Sequence, residues 1–215
     1  MGLGDASSVD AMTSITAITL ETADPAAAQR FYSDTFGLNG QVRLRATDAP
    51  TNGFRGFTLS LTTSQPANVK ALVDAAVDGG ATVVKPVAKS FWGYGGVVQV
   101  PDGTIWKIAT SAKKDTGPAA QQFDDLVLLL GVADVAATKR LYVERGLDVA
   151  KSFGRKYVEF ATGTGGVKLA LYGRRALAKD AGVPADGSGS HRIAIHSDAG
   201  TFTDLDGFAF ESLAS

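Results

Sequence analysis

At a constant offset of 110 positions, Leu20, Ala23, Asp24, Ala26, Ala27, Arg30 and Tyr32 recur as Leu130, Ala133, Asp134, Ala136, Ala137, Arg140 and Tyr142. Gly37-Leu38 recurs as Gly146-Leu147, one residue closer. Ungapped identities this dense in so short a window mark an internal duplication. A duplication confines the chain to architectures assembled from a repeated unit. A second echo supports it: PDGTIWKIATS (Pro101 to Ser111) is matched by LDGFAFESLAS (Leu205 to Ser215). Both set Asp-Gly in a turn just before an apolar strand. Four positions past the glycine the first copy carries Lys107 and the second Glu211. Between the copies, the small and polar SAKKDTGPAAQQ (Ser111 to Gln122) reads as a linker.

The repeated piece has a plain local logic. Ile15 to Thr22 reads as a strand. Asp24 is placed to accept hydrogen bonds from the first free amides of a helix. Pro25 sits at the first helical position, where its missing N–H costs nothing. The helix predicted from there runs to about Thr35, and Gly37 stops it in a left-handed conformation. Asp134 and Gly146 do the same in the second copy. Elsewhere FRGFTLSLTT (Phe54 to Thr63) alternates cleanly, with Phe57, Leu59 and Leu61 on one face. Pro66 to Asp78 has helical spacing, ATVVKPVAK reads as an edge strand around Pro86, and GGVVQV with TIWKIA reads as a hairpin around Asp102-Gly103. The second half supplies YVEFAT, VKLALYG, HRIAIHS and GFAFES as strands. The fold class expected is α+β, with mixed β-sheets covered by helices on one face.

Composition excludes several function classes. There is no cysteine, so thiol catalysis, disulfides and cysteine zinc sites are ruled out. A formal net charge of −1 offers no basic footprint for nucleic acid. No apolar run approaches the ~20 residues that cross a bilayer. The start, MGLGDASSVDAMTS, lacks the basic and apolar regions of a signal peptide, so a cytoplasmic protein with a flexible lead-in over residues 1–13 is expected.

A strand followed by AD…A..FY…GL, with a late PDG..W hairpin, resembles the vicinal oxygen chelate superfamily, which includes glyoxalase I, extradiol dioxygenases and bleomycin-resistance proteins. The resemblance implies tandem βαβββ modules forming two cupped mixed β-sheets with helices on the outer face. It implies two glyoxalase-like units, 14–112 and 123–215, joined by residues 113–122, with the last module truncated: His191–Ser197 runs almost directly into the final hairpin. Enzymes of this superfamily hold a divalent metal in the cup. Their ligands are a His or Gln on each module's first strand and a Glu four residues after the Asp-Gly turn. The matching positions here are Ala17, Thr58, Val127 and Arg192 on first strands, and Lys107 and Glu211 on last strands. Ala17 and Val127 have no donor atom, and a protonated Lys107 repels a cation.

The first unit is therefore expected to hold no metal. The second has Glu211 and both histidines of the chain, His191 and His196. Residues five apart on a strand face opposite ways, so only one histidine can join Glu211 in a cup. If Ile193 and Ile195 pack on the core, His196 faces the cup; a one-residue shift would bring in His191 instead. Either pairing falls short of the three protein ligands a catalytic site ordinarily uses, so no cofactor is expected. FWGYGG (Phe91 to Gly96) reads as the rim of a ligand pocket or as a packed turn. The candidate ligand-binding residues are Thr58, Phe91, Trp92, Tyr94, Trp106 and Lys107. TGTGGVK (Thr162 to Lys168) joins strands and is no phosphate loop, and RKYVEF and GRRA read as charged solvent faces. Three readings follow: a metal-free binder of a small apolar or aromatic molecule; a metal-dependent lyase or dioxygenase using Glu211 and a histidine; and a scaffold for a protein partner. A homodimer covering an exposed sheet edge is a further expectation.

Overall fold

The computed structural model describes residues 13–91, 93–163 and 165–212. The first half runs β1 (Ile15–Thr22), α1 (Pro25–Phe36), β2 (Val42–Ala46), β3 (Thr51–Gly53), β4 (Phe57–Thr62), α2 (Pro66–Asp78), β5 (Thr82–Ser90), β6 (Gly93–Gln99) and β7 (Ile105–Thr110). The second runs β8 (Asp125–Val132), α3 (Val135–Glu144), β9 (Val149–Phe153), β10 (Tyr157–Phe160), β11 (Lys168–Gly173), α4 (Arg174–Ala181), β12 (Gly187–Gly189), β13 (Ile193–Ser197), β14 (Phe202–Thr203) and β15 (Ala209–Glu211). The expected lead-in, 1–13, lies outside the described residues except for Thr13.

The helix signals act as the sequence implies. Asp24 Oδ1 accepts from the Ala27 N–H at 2.9 Å, and Asp134 Oδ1 accepts from Ala136 and Ala137. Gly37 takes φ 67° and Gly146 φ 92°, a region that L side chains avoid. The shared tyrosine is a lock. Tyr32 donates to Asp102 Oδ2 at 2.6 Å and Tyr142 to Asp204 Oδ2 at 2.7 Å. Each bond ties the first helix of a half to that half's Asp-Gly turn. The two copies are not equivalent in detail: the lock uses the aspartate of Asp102-Gly103 in one turn, but Asp204, two residues ahead of Asp206-Gly207, in the other. Asp206 accepts instead from the Ala133 N–H at 2.8 Å.

The sheets do not respect the boundary between the halves. An eight-stranded sheet has the order β5-β6-β7-β4-β8-β11-β10-β9, and a five-stranded sheet the order β14-β15-β13-β1-β2. Antiparallel β4 and β8 form the seam of the first, with Thr58 opposite Leu129 and Ser60 opposite Val127. Antiparallel β1 and β13 form the seam of the second. The expectation of one cupped sheet per unit, 14–112 and 123–215, is corrected: inner modules share one sheet and outer modules the other. Strand alternation gives the reason. Leu59, Trp106, Leu128 and Leu171 of the large sheet share one buried cluster with Ile18, Leu20, Ile195 and Phe210 of the small one, together with Tyr32, Phe36, Leu72 and Tyr142 of the helices α1, α2 and α3. Back-to-back burial of both sheets makes one core.

The expected linker is not slack. Gln65, 5% exposed, accepts from the Thr116 and Gly117 N–H groups through Oε1 and donates to the Pro118 carbonyl. Asp115 accepts from the Ala67 N–H at 2.7 Å, capping α2 from outside the helix. As expected, β13 reaches the last hairpin without a helix, and β5 is an edge strand whose register slips before Lys85 and again between Lys85 and Ala88, across Pro86. The helix α4 was not expected: GRRA opens it, with Arg175 and Ala176 exposed as a solvent face and Arg174 half-buried. Leu177, Ala178 and Ala181 pack with Phe54, Val97 and Ile105 in a second cluster, on the cup face of the large sheet.

Candidate functional site

The cup face of the large sheet carries the residues that alternate with the core. Its rows follow from the register: Gly95, Ala109, Thr62 and Asp125 in one, Val97, Lys107, Ser60, Val127 and Lys168 in the next. The second cluster, with Val97 and Ile105, carries α4. Where the floor is small, a cavity of about 700 Å³ stays open. Gly95 is essential to that floor: a Cβ there would come within 2.8 Å of Ala109 Cβ and 2.9 Å of the Ile108 carbonyl. Val97, Ala109, Thr62, Lys107 and Asp180 line the cavity, with Lys85 and Lys89 from β5 and Asp124 and Asp125 at the head of β8.

Both last-strand positions are ion-paired within the chain. Lys107 Nζ lies 2.8 and 3.0 Å from the two carboxylate oxygens of Asp180, on the last turn of α4. Lys85 Nζ donates to the Lys179 and Asp180 carbonyls at 3.2 and 2.6 Å, a cation against the negative end of a helix. The other end of α4 is fixed by Arg174, which donates to the Phe54 and Ala185 carbonyls. In the small sheet Arg45 donates both Nη atoms to Glu211, with contacts of 2.9 to 3.0 Å. This fork holds the Glu211 carboxyl below its ordinary range and raises the guanidinium. The opposite charges at the two repeat positions thus face opposite internal partners, separated by 73 and 166 residues in the chain.

The histidines take different roles. His191 Nδ1 faces the Arg55 carbonyl at 2.6 Å and Nε2 the Asp206 carbonyl at 2.9 Å, with the ring stacked on Phe208. Both its nitrogens are committed to backbone. His196 lies on the cup face, because Ile193 and Ile195 are in the core. It stands opposite Glu211 in the ladder, and its Nε2 is 2.7 Å from the Thr19 hydroxyl. Burial pushes its pKa below the ordinary histidine value, with Arg43 and Arg45 adding to the effect and Glu211 opposing it. Arg192 turns away, donating to the Ala49 carbonyl from a positive φ of 54°.

These donors do not fit the divalent metal of the superfamily's enzymes. Ala17 and Val127 offer no donor, Lys107 is a cation, and both Glu211 oxygens are bound by Arg45. His196 and Glu211 make two donors at most, and among the described residues no cluster of three or more His, Asp or Glu side chains could hold an ion.

Of the expected ligand-binding residues, Lys107 lines the cavity. Tyr94 borders it, but alternation with Val98 sets its ring partly on the main core. Thr58 lies on the cup face, 3% exposed. Trp106 is corrected: it is 0% exposed, on the opposite face, packed on Tyr32 and Phe36. Phe91 stands 86% exposed at the β5–β6 tip, next to the lining residue Ser90. Trp92 lies outside the described residues. The reading missed α4, although Gly173 and Gly182 bracket a run of good helix formers and Gly182 has the left-handed φ of 81° of a helix stop. Asp180 and Arg45 left no sequence signal, because only the fold brings them to Lys107 and Glu211.

Comparison with solved structures finds glyoxalase I from Zea mays at a TM-score of 0.59, covering 92% of this chain and 91% of that one at 13% identity. A candidate dioxygenase from Bacillus subtilis matches at a TM-score of 0.53, covering 90% of this chain and 71% of that one at 15% identity. The chain has the vicinal oxygen chelate fold. Identities this low establish the fold and leave the chemistry to the site itself. No family model matches the sequence, and no curated protein matches it. No helix among the described residues is long and apolar enough to cross a membrane.

Proposed function

We propose that the protein binds a small, largely apolar molecule in the large-sheet cavity without using a metal. The observation that carries this reading is the cavity itself: about 700 Å³ kept open by Gly95 and Ala109, within the ~300–1,000 Å³ usual for small-molecule sites. Pro86, Val97 and Ala109 offer apolar surface, and polar side chains, among them Thr62 and Thr110 and the floor residue Lys107, share the lining. The misfit of the donor set favours binding over the metal-assisted chemistry of the fold's enzymes. A cation at the acid position and an acid already bound by a guanidinium argue against a metal in either cup, and among the described residues no three His, Asp or Glu side chains gather to hold one.

A titration with small aromatic fragments, read by backbone amide NMR, tests the proposal. Shifts confined to Gly95, Gly96, Ala109 and Thr62 are the expected result, with zinc, nickel and manganese leaving the melting temperature unchanged. A specific metal at a hundredfold excess over Kd would stabilise the fold by about 2.7 kcal/mol. A metal-induced rise abolished by Glu211→Gln would overturn the metal-free reading. Fragments that shift no cavity amide would overturn the site.

A further inference from the structure

We infer that the ligand of this cavity carries a carboxylate, which displaces Asp180 from Lys107. The inference rests on the binding reading above and adds the chemical class of the ligand. Lys107 is the ammonium on the cup floor, in the same row as Val97 and beside Ala109. Its partner is a carboxylate that is not part of the sheet: Asp180 stands on the last turn of α4, with its side chain 46% exposed, against 35% for Lys107. A half-exposed ion pair of this kind has a net value of only ~0.2–1 kcal/mol. A ligand carboxylate with an apolar body in the cavity can therefore exchange for it at small cost. Asp180 then swings to solvent and the charge count at Lys107 is unchanged.

The rest of α4 stays seated during this exchange. Leu177, Ala178 and Ala181 are buried against Val97 and Ile105, Arg174 holds the first turn to Phe54, and Lys85 binds the last carbonyls independently of the Asp180 carboxylate. The geometry also selects a monoanion. The helix end at the cavity is a C-terminus, whose partial negative charge opposes a dianion, and Asp124 and Asp125 line the same cavity. On the floor itself one ammonium, Lys107, matches one carboxylate; of the other lysines that line the cavity, Lys85 is bound to the last carbonyls of α4 and Lys89 stands on the edge strand β5. Among the described lining residues there is no arginine fork to receive phosphate. Asp180 thus acts as a built-in competitor that keeps the Lys107 charge satisfied when the cavity is empty.

The test compares 4-phenylbutyrate with the neutral 4-phenylbutanamide on the full chain by calorimetry, with the Gly95 and Ala109 amides as reporters of position. The acid is expected to bind more tightly than the amide. Asp180→Asn should strengthen acid binding about two- to fivefold, the size of the ion pair it removes, and so widen the preference for the acid over the amide. Lys107→Met should erase the preference for the acid while the amide still binds, which shows that the variant is folded. Equal binding of acid and amide at the cavity, or weaker acid binding by Asp180→Asn, overturns the carboxylate inference and leaves the cavity reading standing. Failure of both probes to shift the cavity amides in either the parent or Asp180→Asn overturns the cavity reading itself.

Discussion

Removing the hydroxyl of Tyr142 should cost more than removing that of Tyr32, although the two occupy the same position in the repeat. Asp204 is 7% exposed, and its Oδ1 accepts from the Asp206 and Phe208 N–H groups. Its Oδ2 accepts from Tyr142 at 2.7 Å. Tyr142→Phe leaves that oxygen charged, buried and without its donor. A hydrogen bond to a charged group contributes about 1.5–3 kcal/mol, and the unpaired carboxylate puts the loss in the upper part of that range. In the first copy Asp102 is only half-buried, so water can take the hydroxyl's place and Tyr32→Phe should cost about 1 kcal/mol. Both phenols have pKa values well above normal, chiefly through burial and then through the facing aspartate, so both remain donors across the working pH range. For a chain of this size each kcal/mol lowers the melting temperature by about 2–4 °C, so Tyr142→Phe should melt ~4–12 °C below the parent. Urea unfolding and thermal melts read the pair. A Tyr142→Phe loss no larger than that of Tyr32→Phe would refute the reasoning, because the expected order rests on the deeper burial of the Asp204 acceptor.

Gln65→Ala should lose about 2 kcal/mol in urea unfolding, because one buried amide supplies the linker's bonds at Thr116, Gly117 and Pro118; proteolysis within 113–122 should quicken in parallel. Gly37→Val and Gly146→Val should each cost on the order of 1–2 kcal/mol from positive φ alone, with Gly146→Val the worse because its Cβ would meet Thr13 Oγ1 at 2.9 Å; equal urea midpoints for parent and variants would contradict this. His196 has a folded pKa below its unfolded value of ~6.5, so the unfolded chain binds the extra proton. Its contribution is complete above that value and is lost as pH falls through the window beneath it; the parent should lose more stability than His196→Gln between pH 7.5 and pH 5.5, with identical losses ruling the histidine out.

The elements written in local chemistry could be read from the chain. Asp24, Pro25 and Gly37 bracket α1 because a cap, a first-turn proline and a left-handed stop each act within a few residues. The face of β4 followed from the alternation of Phe57, Leu59 and Leu61. Alternation around Ile193 and Ile195 separated His191 from His196 but left open which one enters the cup, and only the burial of both isoleucines in the core puts His196 there. Sheet membership could not be read. Nothing in Phe57–Thr62 says that it will pair with Leu126–Leu130 across the linker, since every apolar strand of the repeat offers a similar partner. Trp106 went wrong for a related reason. A tryptophan after an Asp-Gly turn looks like a pocket residue until the register of β7 assigns even positions to the core. The site partners were beyond reach for a simpler reason: Asp180 and Arg45 act by charge across long chain separations, and charge has no periodicity.

The exchange of sheets between the halves also explains why the repeat could diverge at Lys107 and Glu211. Had each half closed its own cup, both positions would face similar surroundings supplied by the same repeat, and a pair of opposite charges would need opposite changes in two matching neighbours. In the arrangement observed, each position meets a different element. Lys107 looks at α4, an addition after β11 that has no counterpart after β7. Glu211 looks across β13 and β1 to β2, whose Arg43 and Arg45 alternate outward from Val42 and Leu44 in the core. A lysine opposite Arg45, or a glutamate opposite Asp180, would leave like charges 3 to 4 Å apart, unfavourable by about 1 kcal/mol even in water and several times that near a protein surface. Each partner therefore selects its own sign, and the same local turn and strand are kept because the tyrosine locks and the core face, not the cup face, hold them in place.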